Sequence, residues 1–264
     1  RRQLMTKHIH GGDVYKYDHC LDFSANCNPL GTPQSVKQAI IDSVEDLSDY
    51  PRVGCGPLKE AIADYEYTKK EYLICGNGAA DLIFSLSRAL NPKKALLPAP
   101  TFAEYEQALV SVGCEISRYY LKEENDFCIQ KDYPDVLKRE KPDIIFLCNP
   151  NNPTGITIPQ DLLEEIKIVE REEPKLIKLE GDGRLPFEFQ VWIQLLDNGP
   201  YDTRLRITAE AELNMMMKML LKGKLEKYPG LFILKAFTKR YAIPGVRLGY
   251  GFCSDRKVLD RMEA

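Results

Sequence analysis

Lys239 is the residue of this sequence with the most chemistry within reach. It stands in LFILKAFTKRYAIPGVRLGYGF, an apolar stretch with only Arg240 beside it. A lysine amine attacks carbonyls and forms a Schiff base when burial or a cationic neighbour lowers its pKa. Arg247 follows eight residues later with a guanidinium suited to clamping phosphate, and Thr238 puts a small hydroxyl next to the amine. Lone lysines are mostly solvated surface groups, so it is the apolar setting that singles this one out.

Two turns offer partners for such a lysine. In GNGAAD, between a strand and a helix, Gly78, Ala79 and Ala80 would present unpaired backbone N–H groups at a helix N-terminus, where small side chains let a phosphate come close. From these residues alone a plain strand-ending turn is the commoner reading. NPNNPTG closes an apolar strand and brings Asn152 to the carboxyl end of a parallel sheet, where ligands bind, although Asn and Pro also simply make good turns. No metal-ligand spacing accompanies them: His8, His10 and His19 are all near the N-terminus without CxxC companions. His10-Gly11-Gly12 reads as a turn, and Trp192 and Met215–Met217 as core filling.

The elements that must hold these residues follow from periodicity. Residues 34–47 and 57–67 carry apolar positions at helical spacing. EYLICGNGAADLIFSLSRAL runs from a short strand into a helix; KKALLPAP is a strand followed by a helix from Phe102 to Val112; CEISRYYL and DIIFLCN are further strands. Short apolar strands alternating with helices predict an α/β fold with a mostly parallel sheet over residues 1–165, resumed over 228–264. Residues 166–227 break that texture. IKIVERE, KLIKLEGDG, FEFQVWIQLLD and DTRLRITAEAE alternate at period two between Glu-Pro, Asp-Gly and Asn-Gly-Pro turn signals, which predicts an antiparallel β-meander over about 168–211. A helix from Leu213 to about Glu226 should follow.

At 264 residues, 44% apolar and 28% charged, the chain can bury a large core. A net charge of −3 gives no bulk pull toward nucleic acid or anionic membrane. No apolar run is long enough to cross a bilayer, and RRQLMTKHIHGG lacks the apolar core of a signal peptide. The eight scattered cysteines suit reduced thiols, so a cytoplasmic, soluble protein is the expectation.

Taken in order, HGGD, LDFSANCNPLG, YPR, GNGAADLI, PAPTFAEY, LCNPNNPTG and FTKRYAIPGVRLGY resemble the pyridoxal-phosphate-dependent class I and II aminotransferases of the aspartate-aminotransferase fold. The likeness is to the L-threonine-O-3-phosphate decarboxylase branch, which serves cobalamin synthesis, and a little more distantly to the histidinol-phosphate aminotransferase branch. It covers about residues 8–165 and 229–264. The resemblance implies pyridoxal 5′-phosphate as cofactor, a phosphorylated amino acid as substrate, and a homodimer. By it, Lys239 is the Schiff-base lysine. Thr238, Arg247 and the backbone around Gly78, Ala79 and Ala80 hold the cofactor phosphate, Phe102 stacks on the ring, and Asn152 bonds the ring hydroxyl. Tyr50 reaches the phosphate of the partner subunit. His10, Gly11 and Asn26, with Asn152, match positions that meet the substrate.

The chain departs from that pattern in two places. The family carries an aspartate on a parallel strand between the NPNNPTG turn and the lysine, and here Glu180, in KLIKLEGD, is the candidate substitute. The family's C-terminal small domain, with its substrate-gripping arginines, does not follow Ala264, so impaired turnover is expected of this form. Residues 166–227 faintly resemble the last strands and helix of START-like ligand-binding domains, which leaves a non-catalytic hybrid chain as the alternative to a decarboxylase or aminotransferase.

Overall fold

The computed structural model describes residues 11–16, 21–22, 24–159, 161–163, 165–166, 190–195 (backbone), 225–226 and 229–264. Strands β1 (Leu73–Gly76), β2 (Lys94–Ala99), β3 (Glu115–Tyr120), β4 (Ile144–Asn149), β5 (Gln190–Leu195), β6 (Phe232–Ala236) and β7 (Gly249–Cys253) form one sheet. Their order is β1-β7-β6-β5-β4-β2-β3. Only β7 runs against its neighbours; the others are parallel.

Helices α1 (Gln34–Asp42), α2 (Gly56–Glu66), α3 (Gly78–Leu90), α4 (Ala103–Ser111), α5 (Tyr133–Glu140), α6 (Phe237–Arg240) and α7 (Arg256–Glu263) surround the sheet. A parallel sheet covered on both faces needs strands apolar on both sides. The run IIFLCN of β4 meets that need, being buried at every residue. Ile144, Phe146 and Cys148 face one core with Leu82, Leu86 and Leu109 of α3 and α4. Ile145 and Leu147 face the other, with Ile62 of α2 and Leu137 of α5.

The middle segment corrects the expected meander. Gln190–Leu195 is inserted between β4 and β6 and is parallel to both, with Phe146 opposite Trp192 and Trp192 opposite Phe232. Period-two alternation reports that a segment is extended; it carries no information on the direction of the neighbouring strands. The remaining strands of that expectation, Glu180 and the helix begun at Leu213 lie outside the described residues.

Helix α1 has no buried residue. Its Ile40 and Ile41 are exposed, as are Val44 and Leu47 in the 3₁₀ turn that follows, and Tyr50 and Val53 beyond it. Among the described residues no helix is long and apolar enough to cross a membrane.

Candidate active site

Parallel strands deliver their carboxyl ends to one side of a sheet, and the residues singled out by type collect there. Gly78 lies just past β1, Phe102 past β2, Asn152 past β4 and Lys239 past β6, while Arg247 precedes the antiparallel β7. Register closes the group: Gly249 at the start of β7 pairs with both Gly76 and Ala236, the last residues of β1 and β6.

The α3 end of this row is built for an anion. Gly78 takes φ +84°, and a β-carbon there would stand 2.9 Å from Nη2 of Arg247, so the guanidinium lies directly on the first turn of the helix. Asp81 accepts a hydrogen bond from the Asn77 N–H at 2.9 Å, which fixes the turn into the helix. The N–H groups of the first helical turn have no intrahelical acceptor and carry the positive end of the dipole. Thr238 is buried at 6% exposure, Lys239 is half-buried, and Arg247 is exposed. Lys239 and Arg247 make no ion pair among the described residues. Two cations with a helix N-terminus and a hydroxyl form a donor set that suits a phosphate dianion and is unbalanced without one.

Across the row, Phe102 caps α4 and packs edge-on against Tyr105, at 5.5 Å and 82° between rings. Tyr105 in turn stacks on Phe146 of β4 at 4.6 Å. The Cys148 thiol beside it donates to the Pro150 carbonyl at 3.3 Å. Burial pushes the Cys148 thiol up to about 11 and the Tyr105 hydroxyl well above its usual range. The ring of Phe102 therefore rests on a neutral, packed column.

Asn151, which the motif did not single out, organises the neighbouring turn. Its Nδ2 donates to the Pro100 carbonyl and the Thr154 hydroxyl, both at 3.0 Å. Its Oδ1 accepts from the Thr101 hydroxyl at 3.0 Å, and its N–H reaches the Ile156 carbonyl at 2.8 Å. Asn151 is 8% exposed, whereas Asn152 is half-buried and its side-chain amide has no partner among the described residues. The first asparagine holds the turn, while the second keeps its amide uncommitted among the described residues. Nothing in the composition distinguishes the two.

The N-terminal residues reach the site less evenly. Gly11 packs so closely on Ser24 that a β-carbon would meet its carbonyl oxygen at 2.0 Å, and the Gly12 N–H donates to Ser24 Oγ at 2.7 Å. Ser24 donates from both its hydroxyl (2.5 Å) and its N–H (2.8 Å) to Asp22. Those bonds hold the Asp22 carboxyl below its usual range against some burial, and the charge of Lys239 adds to the effect. Asn26 is exposed, Tyr50 is 99% exposed away from the cradle's contacts, and His10 lies outside the described residues. Among the described residues no cluster could hold a metal ion.

The chain matches aminotransferase class I and II over residues 18–176. It is 34% identical over 261 residues to threonine-phosphate decarboxylase of Salmonella typhimurium, covering 96% of this chain and 64% of that protein. Its structure resembles histidinol-phosphate aminotransferase from Clostridium acetobutylicum, with a TM-score of 0.72, 27% identity, and 92% and 64% of the two chains covered. It also resembles a decarboxylase from Sulfurospirillum multivorans, with a TM-score of 0.63, 28% identity, and 90% and 59% covered. The chain thus spans somewhat under two thirds of the length of these relatives.

Proposed function

The chain belongs to the class I and II aminotransferase family, whose enzymes work with pyridoxal 5′-phosphate, and from that premise we propose that it decarboxylates an O-phosphorylated amino acid, L-threonine O-3-phosphate. The observation that carries the choice is the 34% identity to a threonine-phosphate decarboxylase across nearly all of this chain. Transamination of histidinol phosphate is the second reading, supported by the structural likeness at TM-score 0.72.

The cofactor supplies an electron sink for charge developing at the substrate Cα. The protein's part is to bind, to orient and to move a proton. Lys239 would hold the cofactor through its amine, and the same amine would move the proton at the substrate Cα. The α3 N-terminus, Thr238 and Arg247 would bind the phosphate, and Phe102 would stack on the ring. Asn152 donates to the ring's hydroxyl oxygen. His10, Gly11 and Asn26 meet the substrate from the N-terminal segment, so substrate phosphate and cofactor phosphate are gripped by separate parts of the chain. These N-terminal contacts would orient the substrate and so select which bond at Cα breaks.

A second copy of the chain covers the exposed apolar patch of Leu47, Tyr50 and Val53 and brings Tyr50 to the neighbouring site.

Two measurements test the reading. Pyridoxal phosphate fixed by borohydride should map to Lys239 and disappear in Lys239→Ala, while Lys235→Ala keeps the label; labelling spread over surface lysines would sink the cofactor assignment. CO₂ released from O-phospho-L-threonine faster than amino groups leave histidinol phosphate supports the decarboxylase; the reverse order selects the aminotransferase.

A further inference from the structure

Helix α6 is a single turn, Phe237–Arg240, so its carbonyls find local partners only in the residues just past it. Lys239 sits in that turn, and its long side chain can present the amine repeatably only if the main chain beneath it is fixed. The turn's own bonds are few: Tyr241 N–H to Phe237, Ala242 N–H to Lys239 at 3.3 Å, and Ile243 N–H to Thr238 at 3.0 Å. Ala242 is left at φ +48°, a left-handed conformation that costs a non-glycine residue energy unless neighbours hold it.

A segment more than two hundred residues away in sequence supplies what is missing. The Asn28 N–H donates to the Lys239 carbonyl at 3.0 Å, and Asn28 Nδ2 donates to the Arg240 carbonyl at 3.1 Å. Thr32 Oγ1 donates to the Ala242 carbonyl at 2.8 Å. Every remaining polar atom of Asn28 is committed to keeping these donors aimed. Its Oδ1 accepts from the Leu30 N–H and its carbonyl from the Gly31 N–H, both at 3.0 Å. The Asn amide carries an acceptor and a separate donor on one short stem, so both tasks fall to a single side chain.

We propose that Asn28 and Thr32 are positioning residues, a clamp that fixes the turn carrying Lys239 and joins it to the N-terminal segment. The proposal rests on the cofactor role given to Lys239 above. The same segment carries the Gly12–Ser24–Asp22 chain, so whatever Gly11 and Asn26 grip is tied through four residues of backbone to the lysine's own carbonyl. Displacement of that segment reaches the amine directly.

Acetic anhydride labelling of the cofactor-free chain, read peptide by peptide, reports the clamp without any cofactor. In Asn28→Leu/Thr32→Val, acetylation of Lys239 should rise up to about tenfold, the worth of one or two neutral hydrogen bonds. Lys235, buried against Glu66, serves as the internal control and should stay protected. Thr32→Ser, which keeps the hydroxyl, should label as the native chain does. In parallel, the pyridoxal phosphate concentration that half-saturates Lys239 should rise by a similar factor in the double variant. Unchanged acetylation of Lys239, a rise in Lys235 labelling in step with it, or unchanged half-saturation each overturns the proposal. A native chain that captures no pyridoxal phosphate, but whose Lys239 labelling responds as described, leaves the clamp standing and removes the cofactor reading instead.

Discussion

A β-carbon on Gly249 would stand 2.6 Å from the carbonyl carbon of Gly78 and 2.8 Å from the nitrogen of Ala79. The first residue of β7 and the first turn of α3 therefore touch backbone to backbone, and the anion cradle has its shape because neither position carries a side chain. Gly249→Ala must push the helix start away from the sheet. Overpacking of this kind costs about 1–3 kcal/mol, which should appear as a lower urea midpoint. Capture of pyridoxal phosphate should weaken further than the stability loss accounts for, since the donors themselves move. An alanine variant with native cofactor titration would show that the cradle is not where the phosphate sits.

Arg247 tests the same cradle by charge. Its guanidinium lies on Gly78 and has no carboxylate partner among the described residues. A charge-assisted hydrogen bond is worth about 1.5–3 kcal/mol, so Arg247→Gln should weaken pyridoxal phosphate about 10- to 100-fold. Pyridoxal, which lacks the phosphate, should bind equally to both proteins. A parallel loss for both ligands would place Arg247's role elsewhere than the phosphate.

Much of this arrangement is legible in the sequence, for definite reasons. Gly78 and Lys239 follow apolar strands and so fix their own location, because a parallel sheet sends all those carboxyl ends to one side; Arg247 joins them because β7 runs antiparallel and starts where β1 and β6 end. The parallel β5 was not legible: QVWIQL alternates as an antiparallel strand would, and its direction is decided by the chain's return between β4 and β6 rather than by its own side chains. Asn28 and Thr32 escaped notice because their partners are main-chain carbonyls, which have no sequence signature. Asn151 and Asn152 are chemically identical neighbours, and only the turn geometry shows that Asn151 is the one that holds the turn.

Burial makes the stability alkali-sensitive. Cys148 and Cys253 are pushed up to about 11 and about 12, each mainly by loss of water around the thiol. The folded protein keeps these protons above pH 9 while the unfolded chain, near 9.0, gives them up. Stability from this source is complete below pH 9 and falls as pH rises toward 11, by about 1.4 kcal/mol per unit and group. Urea midpoints should drop over that window, less in Cys148→Ala than in the native chain once its lower starting stability is subtracted. At pH 8 both thiols should resist iodoacetamide until the protein unfolds.

Exposed apolar residues predict association. Leu47 is 80% exposed, Tyr50 99% and Val53 102%, all on one short stretch after α1. Sedimentation at micromolar concentration should give about twice the 30.1 kDa chain mass, and Val53→Asp should shift the equilibrium toward monomer. A native chain that stays monomeric would remove Tyr50 from the neighbouring site.

The buried ion pair between Glu66 and Lys235 separates fold from function. Lys235 Nζ contacts both Glu66 oxygens, at 3.0 and 3.1 Å, and the Tyr250 hydroxyl donates to Oε1 at 2.7 Å. The two side chains are 11% and 2% exposed, so the pair ties α2 to β6 and β7 under the core. Removing one partner strands a buried charge and typically costs about 3–5 kcal/mol. Replacing both with apolar groups strands none. Glu66→Leu and Lys235→Met should therefore each lower the urea midpoint sharply, while the double variant recovers most of the loss, giving a large coupling energy in the cycle. Throughout the series the fraction of folded protein able to form the Lys239 adduct should stay constant, because on the proposed reading Lys235 stabilises the strand while the cofactor is held at Lys239. A single variant that keeps its stability yet loses the adduct would reverse that division of labour between two lysines four residues apart.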